Sequence, residues 1–196
     1  MEVKISKGNT KLNRVWNLSL PPIKTCLANA PCVRLCYAMK AYRLYPATRN
    51  AWDHNLAFWQ QHPVEFEESL AAHLSAAKKP VRLFRWHVGG DIPDLRYFYM
   101  MCHIATQFPD TKFLAFTKRY GIPPQAVTMP KNFTIVLSAW PGLDLHNPMN
   151  LPVAWMQDGT ETRVPKDALE CHGDCAACGL CWELPTIGKD VVFEEH

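Results

Sequence analysis

The chain has 196 residues, of which 48% are hydrophobic and 20% are charged. This length and composition are typical of a folded chain with one sizeable core, and they exclude an intrinsically disordered protein. No apolar run approaches the roughly 20 residues that cross a bilayer, and the polar start of the chain lacks the apolar region of a signal peptide. We therefore expect a cytoplasmic protein without a membrane segment, whose eight cysteines stay reduced.

The charge of the chain is unevenly distributed, although the net value is only +3. Residues 1–50 contain nine Lys and Arg against one acid, whereas residues 151–196 contain three against nine. A basic region attracts phosphate groups, which makes nucleic acid a candidate partner. The alternative is an ordinary solvated face.

The spacing of apolar residues predicts strands that alternate with helices. The predicted elements, in chain order, are a strand at 15–20, helices at 33–45, 48–62 and 64–79, a strand at 81–90, a helix at 94–108, and strands at 112–118, 133–140, 153–157 and 190–195. This alternation favours parallel βαβ units. About six strands are too few for a closed eight-stranded barrel. We predict an α/β fold, either a partial (β/α) barrel or an open, twisted, mostly parallel sheet, in a single domain spanning residues 1–196.

Three predicted strands end in polar or glycine-rich sequence: "HVGGD", "TKRY" and "SAWPG". The first strand leads directly into a cysteine-containing loop. Parallel α/β folds bind their ligands at the carboxyl edge of the sheet. These four loops therefore predict a functional site at that edge.

A dense cysteine group lies near the C-terminus, in residues 165–185. Its sequence "ECHGDCAACGLCW" contains Cys171, Cys175, Cys178 and Cys181, separated by three, two and two residues. Zinc ribbons usually divide their ligands into two pairs, whereas ferredoxin-type runs are this compact. The spacing favours a [4Fe–4S] cluster, with zinc as the alternative.

A sparser group precedes the first predicted helix. Cys26, Cys32 and Cys36 are separated by five and three residues. If they hold three irons of a [4Fe–4S] cluster, the fourth iron has no protein ligand and is open to an exchangeable small molecule. The alternatives are zinc with a fourth ligand elsewhere, or a cluster completed by Cys102, which lies in an apolar helical pattern typical of a core cysteine.

These motifs resemble the radical S-adenosylmethionine superfamily. A three-cysteine loop follows the first strand, an aromatic residue stands beside the last cysteine in "CYA", and "VGGD" is similar to the glycine-glycine-glutamate motif of that superfamily. The resemblance implies that Gly89, Gly90 and Asp91 line the site for the methionyl amino group of S-adenosylmethionine. It also implies reductive cleavage of this cofactor, a 5′-deoxyadenosyl radical, and a reductase or flavodoxin-like electron donor. The superfamily's common cysteine spacing is three and two residues, and its acid is a glutamate.

A second resemblance covers nearly the whole chain. The set of motifs "SLP…TC…C…CYA…RWHVGGD…TKRY…CHGDC…CGLCW" is similar to a phage-encoded family called gene product eighty-eight. This resemblance implies the cytoplasm of an infected host as the location, and it implies no particular activity.

Polar residues near the strand ends are candidates for contact with a substrate or cofactor. The two-residue period of a strand predicts Arg85 and His87 on one face, as a cation and a proton donor, or alternatively as a structural hydrogen-bonded pair. Lys118 can bind a carboxylate or a phosphate, or alternatively is a solvated surface residue, and Ser138 ends the strand before Trp140.

The leading hypothesis is a small iron–sulfur enzyme of radical S-adenosylmethionine type with two clusters and an unidentified substrate. The alternatives are a non-enzymatic iron–sulfur electron carrier or redox sensor, and a zinc-stabilised protein that binds nucleic acid. The chain contains no Walker-type glycine loop and no HExxH motif, so hydrolase and nucleotidase interpretations have little support.

Overall fold

The computed structural model describes residues 1–8 and 12–194. The strands are β1 (Trp16–Leu18), β2 (Leu83–Trp86), β3 (Lys112–Thr117), β4 (Phe133–Ala139), β5 (Val153–Gln157), β6 (Leu169–Glu170) and β7 (Val191–Glu194). The helices are α1 (Tyr37–Leu44), α2 (Pro46–Gln61), α3 (Pro63–Ser75), α4 (Leu95–Gln107), α5 (Cys175–Cys178) and α6 (Leu184–Ile187), with 3-10 helices at Pro31–Leu35 and Leu180–Trp182. Glu195, the last residue of the predicted strand 190–195, lies outside the described residues.

The strands form one open sheet in the order β1-β2-β3-β4-β5-β7-β6, and every neighbouring pair is parallel. The sheet does not close into a barrel. The predicted α/β class and the open, parallel sheet are therefore confirmed. Because all strands run the same way, their carboxyl ends share one edge of the sheet.

Local sequence explains where the long helices begin. Pro46 and Pro63 occupy the first turns of α2 and α3, where a missing backbone N–H costs nothing. The Asp94 carboxylate caps α4 by accepting a hydrogen bond from the Tyr97 amide at 2.8 Å. None of the helices in the described part of the chain combines the length and the apolar run that crossing a membrane requires.

Each face of the sheet packs against its own apolar cluster. On one face, Phe84, Trp86 and Phe113 pack with residues of α2, α3 and α4. The opposite face carries Leu114 and Val136, and the C-terminal cysteine segment packs against it. The molecule is thus layered, with the long helices on one side of the sheet and the cysteine segment on the other.

Two predicted elements differ from the structure around the cysteines. The predicted helix at 33–45 is broken at Cys36, whose backbone is extended (φ −67°, ψ 103°) between the first 3-10 helix and α1. The sequence pattern also did not predict β6, α5, the second 3-10 helix or α6, because elements of two to four residues leave almost no periodic signal.

Candidate functional site

Polar groups from four loops meet at the carboxyl edge of β1 to β4. The Asp91 carboxylate, after β2, accepts a hydrogen bond from the Lys118 amide, after β3, at 3.0 Å. The Lys118 ammonium donates to the Ser138 hydroxyl at the end of β4, at 3.1 Å. Arg119 Nη2 donates to the backbone carbonyl of Thr25, in the first cysteine loop, at 3.1 Å. The predicted convergence of these loops is confirmed.

The first cysteine loop is anchored through Thr25, the residue immediately before Cys26. The buried Thr25 hydroxyl donates to the Pro21 carbonyl at 3.0 Å and accepts from the Asp91 amide at 3.1 Å. Thr25 was not among the residues predicted from the sequence, where its position next to Cys26 was the available signal. The anchor ties the start of the cysteine loop to the end of β2.

The thiols of the first loop interact electrostatically. Burial raises the pKa of the Cys26 thiol to about 11; the Ile23 backbone amide opposes this rise, and Asp91, Cys32 and Cys36 add to it. A thiol binds metal as the thiolate, so metal binding here must displace a proton.

The glycine turn after β2 is tightly packed by protein atoms. Gly90 has φ +82°, and a Cβ atom there would lie 2.6 Å from the Thr25 hydroxyl and 2.7 Å from the Leu20 carbonyl oxygen. At Gly89, a Cβ atom would lie 2.6 Å from the Trp52 ring. Packing within the chain is therefore sufficient to explain why both positions are glycine.

Asp91 is buried, and its carboxylate joins two loops of the protein through hydrogen bonds. One carboxylate oxygen accepts from the Ile92 amide at 2.7 Å, and the other accepts from the Lys118 amide. Burial raises the pKa of Asp91 above its usual range, although hydrogen bonds from Lys118, Thr117 and Ile92 partly offset the effect. These bonds fix the relative positions of the loops after β2 and β3.

Lys118 and Ser138 form a polar cluster that contacts the aromatic side chains of Trp140 and Tyr120. The Lys118 ammonium lies 5.2 Å from the centre of the Trp140 ring, and the Trp140 indole N–H donates to the Ser138 hydroxyl at 3.3 Å. The Tyr120 hydroxyl donates to the Ser138 carbonyl at 2.9 Å. This cluster offers a cation and a hydroxyl beside one another, a donor pair that suits an anionic group.

The prediction that Arg85 and His87 share a strand face is wrong. His87 follows β2 with φ +55°, so the two-residue alternation ends before it. Its Nε2 lies 3.2 Å from the Tyr97 hydroxyl among the helices, and burial lowers the pKa of His87 to about 3. Arg85 belongs to the opposite side, with its guanidinium 4.9 Å from the Phe116 ring centre.

The C-terminal cysteine segment is held against the sheet by hydrogen bonds and burial. The Asp174 carboxylate caps α5 by accepting from the Ala177 amide at 3.1 Å. Gly179, with φ +64°, ends that helix. The buried Trp182 donates its indole N–H to the Phe84 carbonyl at 3.1 Å, and the Thr134 hydroxyl donates to the Trp182 carbonyl at 2.9 Å.

The four C-terminal cysteines also interact with one another. Burial raises the pKa of Cys181 to about 12, Cys171 raises it further, Arg85 lowers it, and Cys175 and Cys178 raise it. Cys171, Cys175 and Cys181 contact the same apolar cluster, whereas Cys178 is exposed.

The fold brings the two cysteine groups towards each other at Arg85 and Tyr37. Arg85 Nη1 lies 3.9 Å from the Cys175 sulfur. Tyr37, next to Cys36, donates its hydroxyl to the Val88 carbonyl at 2.7 Å. Desolvation raises the pKa of that hydroxyl, Arg85 lowers it, and thiols of both groups raise it. Tyr37 was not selected as a site residue from the sequence, where only the quoted "CYA" pointed to it.

All eight cysteines are free thiols, including Cys102 in α4. Burial raises the pKa of Cys102 to about 12, in keeping with a core position. Within residues 1–8 and 12–194, no three His, Cys, Asp or Glu side chains are close enough together to hold a metal ion. The two predicted ligand sets therefore stay predictions.

A cavity of about 870 Å³ lies at the opposite edge of the sheet, beside the starts of β3, β4 and β5. Several of its polar groups are already engaged: Lys112 pairs with Glu183, and Asp190 accepts from the Val153 amide and the Trp155 indole. The amide of Asn132 donates to three backbone carbonyls. This cavity offers no set of reactive groups comparable to that at the carboxyl edge.

Comparison with known proteins places the chain in one family. No curated protein and no solved structure matches it. The model of a family described as Gene product 88 matches residues 3–184, which is most of the chain. The chain therefore belongs to the Gene product 88 family.

Proposed function

We propose that this protein is a small iron–sulfur enzyme of radical S-adenosylmethionine type. Cys26, Cys32 and Cys36 would hold the catalytic cluster. A second cluster would be held by the C-terminal group Cys171, Cys175, Cys178 and Cys181. The observation that carries the proposal is the approach of the two cysteine groups at Arg85 and Tyr37.

Three thiols in the first loop would leave one iron of a [4Fe–4S] cluster without a protein ligand. The sequence offers no fourth cysteine near Cys26, Cys32 and Cys36. When bound, such a cluster would supply the electron that cleaves S-adenosylmethionine. Thr25 and Arg119 would keep the loop in place while this occurs.

In this proposal, the polar cluster at the ends of β3 and β4 binds the cofactor's amino-acid end. Lys118 supplies an ammonium and Ser138 a hydroxyl, which suit the carboxylate of S-adenosylmethionine. The side-chain space beside Gly89 and Gly90 is filled by protein, so that turn would meet the cofactor through its backbone. Asp91 would act mainly by positioning Lys118.

A decisive experiment is anaerobic purification followed by iron, sulfide and zinc analysis, with electron paramagnetic resonance of the reduced protein with and without S-adenosylmethionine. We expect iron and sulfide, a spectrum that changes on adding S-adenosylmethionine, and cleavage of that molecule. Zinc without sulfide would overturn the iron proposal. An iron signal that S-adenosylmethionine leaves unchanged would instead indicate an electron carrier, served by a reductase or flavodoxin-like partner.

The variant Cys36→Ala tests whether the two groups hold separate centres. We expect it to lose only part of the iron, because the C-terminal cluster should survive. Cys102→Ala, which removes a thiol from the core of α4, is the matched control and should retain all the iron. Complete loss in Cys36→Ala would show that both groups share a single centre.

A further inference from the structure

A groove of about 550 Å³ lies beside the first cysteine loop and along α1. Its lining includes Cys36 and three exposed cations, Arg34, Lys40 and Arg43. None of these cations forms an ion pair within the described part of the chain. The sequence contains no acid from residue 3 to residue 52, and Asp53, which contacts Tyr42 of α1, is paired with Lys24. The local potential is therefore positive.

Exposed aromatic and aliphatic side chains lie close to these cations. Tyr37 and Tyr45 stand at the two ends of α1, and 65% and 60% of their surfaces are exposed. The hydrogen bond from Tyr37 to the Val88 carbonyl holds its ring in a fixed position while leaving much of it open to solvent. Leu35 and Leu44, which line the groove, are also largely exposed.

We infer that this groove binds single-stranded nucleic acid, with phosphates at Arg34, Lys40 and Arg43 and bases stacked on Tyr37 and Tyr45. A single strand repeats one negative charge and one flat ring in every unit, which matches cations interleaved with exposed aromatic rings. A duplex carries the charges but hides the faces of its bases. The occupant that fits both features is therefore a single strand.

The position of the groove also bears on the substrate. Cys36 lines it, so a bound strand passes beside the first cysteine loop. If the proposed radical chemistry is correct, this position makes a nucleic acid the substrate class. Binding itself requires neither iron nor S-adenosylmethionine, so it is tested separately from that chemistry.

The test is fluorescence anisotropy of a labelled oligothymidylate of about 20 nucleotides, titrated with the purified full-length protein. Between about 50 and 200 mM salt, three phosphate contacts predict a slope of log affinity against log salt of about −2. The triple variant Arg34→Ala/Lys40→Ala/Arg43→Ala should lose most of the affinity and of the salt dependence.

The matched control is Lys78→Ala/Lys79→Ala/Arg82→Ala, which removes the same charge from exposed positions before β2. It should bind as the wild type does. Tyr45→Ala should bind about tenfold more weakly, whereas Tyr45→Phe keeps the ring and should bind normally.

Several results would overturn the inference. These are no binding at about 50 mM salt, equal losses in both triple variants, or equal affinity for a duplex of the same length. Equally effective displacement of the oligonucleotide by polyglutamate would indicate an acidic protein as the partner instead. Any of these results would leave the iron and S-adenosylmethionine measurements standing, so the two proposals fail independently.

Discussion

The two cysteine groups are held by different kinds of contact. The N-terminal loop lies between β1 and α1 and is anchored by the polar contacts of Thr25. At Cys36, an extended backbone separates the 3-10 helix from α1. The C-terminal segment carries two of its cysteines on the capped turn α5 and is pinned to the sheet by buried Trp182. The first group depends on polar contacts at a sheet edge, whereas the second combines apolar burial with hydrogen bonds on a sheet face.

This difference suits different tasks. Apolar contacts at Cys171, Cys175 and Cys181 hold a centre in one arrangement, as a permanent electron-transfer or structural site needs, and only Cys178 of this group is exposed. A loop at the carboxyl edge lies where parallel α/β folds receive their ligands, next to other polar groups and an open groove. We therefore expect ligand exchange at the N-terminal group and not at the C-terminal group.

The largest expected effect is the difference in alkylation rate between exposed and buried cysteines. In protein treated with a chelator, we expect iodoacetamide to modify exposed Cys178 first, Cys26 about a hundredfold more slowly and Cys181 about a thousandfold more slowly at about pH 8. The reason is burial, which raises the pKa of Cys26 to about 11 and the pKa of Cys181 to about 12. Mass spectrometry of the labelled peptides measures the order. Similar rates for all three in the native protein, as expected only in denaturant, would contradict it.

Replacing Trp182 should break the anchor of the C-terminal segment. Trp182→Ala should lower the free energy of unfolding by about 3–5 kcal/mol, because it removes a buried ring and the hydrogen bond to the Phe84 carbonyl. Trp182→Phe keeps most of the packing and should cost about 1–2 kcal/mol. Urea denaturation measures both. Equal losses in the two variants would show that the hydrogen bond, and not the packing, holds this segment.

Adding a methyl group at Gly90 should disturb the anchor of the N-terminal loop. Gly90→Ala should cost about 2–4 kcal/mol of unfolding free energy, because the methyl group meets the Thr25 hydroxyl and the Leu20 carbonyl at a positive φ. Gly142→Ala is the control: its φ is +76° but its surroundings are open, so only backbone strain of about 1 kcal/mol is expected. We also expect faster alkylation of Cys26 in Gly90→Ala alone. Equal stability of the two variants would remove the proposed packing role of Gly90.

Lowering the pH should reduce the free energy of unfolding through His87, which lies on the side of β2 that faces the helices. Since burial lowers the pKa of His87 to about 3, the unfolded chain binds a proton below about pH 6.5 that the folded chain does not. Between about pH 7 and pH 5, His87 should therefore reduce the stability by about 2 kcal/mol. His87→Asn tolerates the positive φ and does not titrate, so it should lack this loss.

The measurement is urea denaturation of both proteins at the two pH values. Asp91, whose pKa burial raises, opposes the trend equally in both proteins and cancels in the difference. The same pH dependence in wild type and His87→Asn would contradict the buried, neutral state of His87.

Much of the fold follows from local pattern. The predicted strands at 112–118, 133–140 and 153–157 agree with β3, β4 and β5 to within one residue at each end, because buried parallel strands are short apolar runs with clear stops. The break at Cys36 and the two-residue β6 were not predictable in this way. Neither has a periodic signal, and Cys36 differs from a helical residue only in its ψ angle.

The sequence by itself determined the strand–helix alternation, the parallel sheet and the placement of polar loops at its carboxyl edge, because these depend on residue spacing within each segment. Tertiary structure alone decided that His87 turns away from Arg85 and that Cys175 reaches Arg85. It also decided that Thr25, Asp91 and Lys118 form one set of contacts. The physical reason is that such contacts join segments far apart in the chain, and the packing of the whole sheet sets their distances.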